Sequence, residues 1–202
     1  MTHNPVNSAP LSPAEAALRQ GFKYGNKGML LMWRLGLGRW GMNNPYSGYI
    51  MVVTHTGRKS GLLRRTPVNF AEIGGDLYCT AGFGAVADWY RNLVADPHVQ
   101  VWLPDGSWSE GLAEDISGLP AEERLPLLCQ VLINSGFAAY AAGVDPRRMS
   151  DDALLAVTAP YKLVRIRRTA ARTGAGGPGD LAWVWIAATA VLGLLLLRRR
   201  RG

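Results

Sequence analysis

The chain has 202 residues, 48% of them hydrophobic and 18% charged, with a net charge of +7 and two cysteines. That length and hydrophobic share suit one packed domain with appendages, and they exclude a disordered chain or a disulfide framework. Cys79 and Cys129 stand far apart, in neither a redox nor a zinc spacing, so no metal site is expected and a reducing compartment is. The positive excess gathers late, at Arg165, Arg167, Arg168, Arg172 and Arg198 to Arg201. It points to a membrane surface rather than nucleic acid, because these arginines are not interleaved with aromatics on one domain face.

Residues 1–13 are polar and Pro/Ala-rich, read as disordered, with no basic cluster and apolar block of a secretory leader. A helix is expected to start with Ser12 as N-cap, Pro13 in the first turn and Glu15 completing a capping box, running through Arg19 towards Tyr24. Gly28 to Gly41 is apolar and aromatic, interrupted by Arg34 and Arg39. It reads either as a helix laid on the core or as an amphipathic, interfacial lid. Strands are expected over Tyr49–Thr56, Leu63–Glu72 and Leu77–Ala81, with Gly74-Gly75-Asp76 turning the last pair. A helix from about Ala87 to Ala95 should stop at Asp96-Pro97. Val99–Leu103 and Trp108–Asp115 form a second hairpin. Helices over Pro120 to about Ser135 and Ser150 to Val157 precede a last strand, Tyr161–Arg167. Hairpins dominate, which predicts an α+β, partly closed antiparallel barrel with flanking helices. The domain is set at 14–168 and a Gly-rich linker at 169–180. Leu181 to Leu197 is an uncharged apolar run, at the lower limit of about 17–25 residues for crossing a bilayer. With Trp183 and Trp185 near one end and four arginines at the other, residues 181–202 are expected to form a transmembrane segment. Arginines flank it on both sides, so its orientation is not decided; a cytoplasmic domain at the inner membrane face is the expectation.

The turn between the first two strands carries Gly57-Arg58-Lys59-Ser60-Gly61. Glycines let backbone amides approach an anion, and adjacent cations supply the counter-charge. The order is neither a dinucleotide fingerprint nor a Walker loop. Two longer blocks narrow the reading. THTGRKSGLLRRTPV, Thr54 to Val68, and DWYRNLVADP, Asp88 to Pro97, with the strand Val99–Trp102 behind it, together resemble the signature of the deazaflavin-dependent nitroreductase and quinone reductase family. The resemblance covers Tyr49 to Leu103 well and extends more loosely to Arg168.

That resemblance implies a split β-barrel like those of FMN-binding oxidoreductases. It implies coenzyme F420 as cofactor, with FMN as the alternative, and hydride transfer to a lipophilic acceptor such as a quinone or nitro compound. By the same likeness, Arg58, Lys59 and Ser60 would hold the cofactor phosphate beside Thr56, with Gly57 allowing close approach. Arg64 or Arg65 would meet the phosphate or the glutamate tail. Ala81, Gly82, Phe83 and Gly84 would lie along the ring, and Trp89, Tyr90 and Asn92 would begin the helix closing the site. The chain departs from many relatives in having no lysine at Ala85-Val86-Ala87, and a histidine, His55, where threonine is common. Tyr140, Tyr161 or His55 could assist the acceptor oxygen, as could backbone amides; His55 and Tyr161 equally suit plain packing roles. Two other functions stay open. One is an F420-dependent reductase of another, lipid substrate. The other is a non-catalytic barrel that binds F420, FMN or haem.

Overall fold

The computed structural model describes residues 13–41 and 43–201; the expected Ser12 cap and most of the start read as disordered lie outside them. Helix α1 (Pro13–Arg34) runs much further than Tyr24. It absorbs the first part of the apolar Gly28–Gly41 segment. Gly36, at φ 77°, ends it, and the short α2 (Gly38–Gly41) follows.

A two-residue strand β1 (Asn43–Asn44) leads into β2 (Gly48–Thr56), β3 (Leu63–Ile73) and β4 (Asp76–Ala81). Gly74 and Gly75 both take positive φ at the β3–β4 turn, the conformation that a two-residue hairpin demands. Then come α3 (Asp88–Ala95), β5 (His98–Trp102), β6 (Trp108–Asp115), α4 (Ala121–Asn134), α5 (Phe137–Ala141), α6 (Asp151–Val157), β7 (Lys162–Ala171) and α7 (Trp183–Arg201). Ser150 caps α6 as its sequence suggests, its hydroxyl accepting from Ala153 N–H. Every pairing is antiparallel, in the order β2-β3-β4-β7-β6-β5, and β5 returns to β2. The six strands therefore close into a barrel with helices on its flanks, consistent with a split barrel.

Strand alternation sorts the side chains. Met51, Val53, Val68, Phe70, Leu77, Cys79, Val99, Val101, Val164 and Ile166 fill the interior, and Ala87, Tyr90 and Leu93 around α3 join that cluster. Outside, Val52, Trp102 and Trp108 receive Trp33 of α1. On another face, Ala71, Tyr78 and Leu163 receive Val131 of α4. Both cysteines are free, and burial pushes the Cys79 thiol up to about 12.

The segment read as a linker is packed rather than loose. β7 continues to Ala171. Beyond it, a Cβ on Gly177 would sit 2.8 Å from the Trp108 ring, so glycine serves close approach there. Arg172 stacks on Trp108 at 4.6 Å. Arg34 grips Asp180 through Nε and Nη2, each at 3.0 Å, and Trp185 Nε1–H donates to the Leu35 carbonyl.

The spanning helix expected over 181–202 is not met: among the described residues no helix is long and apolar enough to cross a membrane. Leu181 and Ala182 are spent in a turn, so the helix starts at Trp183 and reaches arginine at 198. At ~1.5 Å per residue the apolar part covers roughly 22 Å of a hydrocarbon layer about 30 Å thick. Its apolar side chains are nonetheless exposed, Ile186 at 74% and Leu194 at 62% among them.

Candidate cofactor site

The β2–β3 turn and α3 meet at one mouth of the barrel. Gly57 N–H donates to the Leu62 carbonyl, while Ser60 and Gly61 N–H both donate to the Gly57 carbonyl. Arg58 N–H goes to Asn92 Oδ1. The turn's amides are thus largely spent inside the protein, and the donors left for an anion are side chains. Lys59 is exposed on the turn. Arg64 reaches back, its Nη2 donating to Ser60 Oγ at 3.4 Å. A Cβ on Gly57 would lie 2.8 Å from both Arg64 Nε and Ser60 Oγ, so glycine here lets the Arg64 side chain fold back over the turn. Lys59, Arg64 and the Ser60 hydroxyl, all carried at this one turn, make a candidate cradle for a phosphate or a carboxylate tail.

The other predicted residues divide. Arg58 turns inward, with Nη1 on Asn92 Oδ1 at 2.9 Å and Nη2 on Asp88 Oδ1 at 2.9 Å. Arg65, one residue from Arg64, faces the opposite side of β3. It stacks on Trp102 at 4.6 Å and donates to the Gly176 carbonyl, so it does not join the turn. Thr56 is partly buried at the end of β2. Trp89 packs on the barrel core. Tyr90 is buried, its hydroxyl donating to Asp115 at 2.6 Å; burial and that carboxylate push it up to about 12.

Ala81, Gly82, Phe83 and Gly84 run along Pro160 and Tyr161. A Cβ on Gly82 would lie 3.8 Å from Tyr161 Cζ, and one on Gly84, at φ 65°, only 2.5 Å from the Pro160 carbonyl oxygen. Tyr161 is half-buried, and that burial raises its hydroxyl above the ordinary tyrosine range. Tyr140 lies elsewhere. It is 64% exposed on α5 and lines a groove of about 470 Å³ with Tyr46, Phe137 and Arg147.

His55 is 2% exposed. Burial lowers its pKa to about 4, with the Arg64 charge adding to this and the Thr56 carbonyl opposing it. An unfolded histidine titrates near ~6.5. Between those values the unfolded chain takes the proton and the folded chain does not, so stability falls as pH drops through that window. The shift is worth about 3 kcal/mol. Urea denaturation between about pH 6.5 and 4 should show this loss in the wild type, and His55→Gln should lack its share. Strand alternation alone puts His55, Arg64 and Thr66 on one face. That was the available signal for Thr66, which the motif reading did not single out.

A closed antiparallel barrel with helices on its flanks defines the class as split-barrel-like. A family model described as F420H(2)-dependent quinone reductase matches residues 34–149, more than half of the chain, and the chain belongs to that family. It is an F420H2-dependent oxidoreductase. No curated protein matches the sequence significantly. Solved structures that match include an F420 reductase, at 22% identity and TM-score 0.42, over 65% of this chain and 93% of the other. The haem storage protein HutZ of Vibrio cholerae matches at 11% identity and TM-score 0.42, over 65% and 89%. An FAD-binding protein of Mesorhizobium loti matches at 16% identity and TM-score 0.39, over 80% and 92%.

Proposed function

We propose that the chain reduces a quinone with F420H2 at a membrane surface. The turn at Gly57 carries this reading: Arg64 and the Ser60 hydroxyl meet over the glycine, and Lys59 stands exposed on the same turn. Those three side chains would hold the phosphate and acidic tail of the cofactor, and the Ala81–Gly84 segment would support its ring. When bound, F420H2 supplies the hydride. The acceptor oxygen gains negative charge as it is reduced and needs a donor. Tyr161 stands beside Gly82, and a tyrosine hydroxyl holds its proton at neutral pH. Helix α7 supports the membrane part of the reading. Its apolar side chains are exposed rather than packed, and arginines follow them, as suits burial in one leaflet with cations at the headgroups.

The test is a fluorescence titration with F420 and FMN, followed by menaquinone turnover in anionic vesicles and in detergent. F420 binding with turnover faster in vesicles is expected. Binding of FMN but not F420 would sink the cofactor reading, and equal rates in vesicles and detergent would sink the membrane one.

A further inference from the structure

A buried line of polar contacts runs from the barrel interior to the cofactor turn, and its atoms fix the protonation of His55. Asn92 is 3% exposed. Its Oδ1 accepts from Arg58 N–H at 3.2 Å and from Arg58 Nη1–H at 2.9 Å. With Oδ1 committed to Arg58, Nδ2 is the atom that faces His55, 3.2 Å from Nδ1. An amide nitrogen only donates, so Nδ1 must accept, and the ring proton sits on Nε2. Nε2 lies 3.1 Å from Thr66 Oγ1, which accepts it. A charged ring would set Nδ1–H against the Asn92 N–H. The Thr56 carbonyl favours a charged ring, but burial outweighs it and the Arg64 cation works against it. Arg58 is a second cation; Asp88 is engaged by Arg58, and Asp96 by His98.

Building on the cofactor reading above, we propose that Thr66, His55 and Asn92 form a positioning relay that holds Arg58 inward and so sets the shape of the cofactor-binding turn. Arg58 is a strut between the turn and α3, where its Nη2 meets Asp88 Oδ1 at 2.9 Å and its Nη1 meets the Asp88 carbonyl at 3.3 Å. Contact with the anion passes to Lys59 and Arg64. His55 therefore acts as a neutral spacer with one donor and one acceptor, not as an acid.

Nitrogen-15 NMR of the imidazole in the full chain tests the relay without cofactor. The Nε2–H tautomer is expected at pH 7. Asn92→Asp keeps an acceptor for Arg58 but presents a second one to the ring, so His55 should gain a proton on Nδ1. Amide exchange at Ser60 and Gly61 should quicken about tenfold in Asn92→Leu and His55→Phe, because the strut is no longer held. In the same two variants F420 affinity should fall about tenfold, with turnover at saturation within about twofold of wild type. Lys59→Ala should lose affinity while tautomer and exchange stay unchanged. A wild-type Nδ1–H tautomer overturns the relay, as does turn exchange indifferent to both substitutions. If the wild type fails to bind F420, the functional reading falls, and the tautomer and exchange results still decide the relay.

Discussion

Replacing Lys59 and Arg64 together by alanine is expected to weaken F420H2 binding about 100-fold while moving the melting temperature by less than about 2 °C. Each cation can make a charge-assisted hydrogen bond worth about 1.5–3 kcal/mol, and about 1.4 kcal/mol is a factor of ten. Both residues are exposed, and among the described residues the Arg64 guanidinium donates to the Ser60 hydroxyl at a long 3.4 Å, so little folding energy goes with them. Arg58→Ala should behave differently. It breaks contacts to Asn92 and Asp88, and so lowers stability and affinity together. Cofactor fluorescence and differential scanning calorimetry separate the two patterns. If the double variant binds as tightly as wild type, the cradle is not the anion site.

Trp102→Ala is expected to have the largest effect on stability. The residue is fully buried, in a cluster with Trp33, Val52 and Trp108. Truncating a buried aromatic costs about 3–5 kcal/mol. At about 2–4 °C per kcal/mol for a chain of this size, melting should fall by roughly 10 °C. The damage should also travel. Arg65 stacks on this ring and holds the Gly176 carbonyl, so losing the ring unseats the segment leading to α7. Limited proteolysis should then cut between residues 172 and 182, and should spare that segment in the wild type. Trp102→Phe should restore much of both. A large drop in melting without new cleavage would mean that the segment's other contacts, such as Arg34 to Asp180 and Trp185 to Leu35, hold it without Arg65.

The hairpins were legible because each is local: alternating apolar residues bounded by turn glycines, as at Gly74-Gly75. A partly closed barrel was expected from that run of hairpins, but the strands that close it were not legible, since the pairing of Val52 with Trp102 and of His55 with Val99 leaves no short-range trace. Helix α1 outruns its expected length because Met29, Leu30 and Trp33 pack on the barrel, which outweighs the intrinsic cost of Gly21, Gly25 and Gly28. α5 is five residues long, too short for a periodic signal. In the site, residue types announced the chemistry, but direction decided who performs it. Motif likeness groups Arg58, Lys59, Arg64 and Arg65 together. Packing sends Arg58 to Asn92 and Arg65 to Trp102, leaving Lys59 and Arg64 at the cradle. The glycines before α7 looked like a flexible spacer, yet Gly177 is there because an aromatic ring lies against it.

The opposed directions of Arg64 and Arg65 make the register of β3 a frame. Its pairs with β2 and β4 decide which arginine reaches Ser60 and which reaches Trp102. A one-residue slip of the strand would exchange the two and turn its core side chains outward with them. A single register thus holds the cofactor end and the C-terminal fastening together.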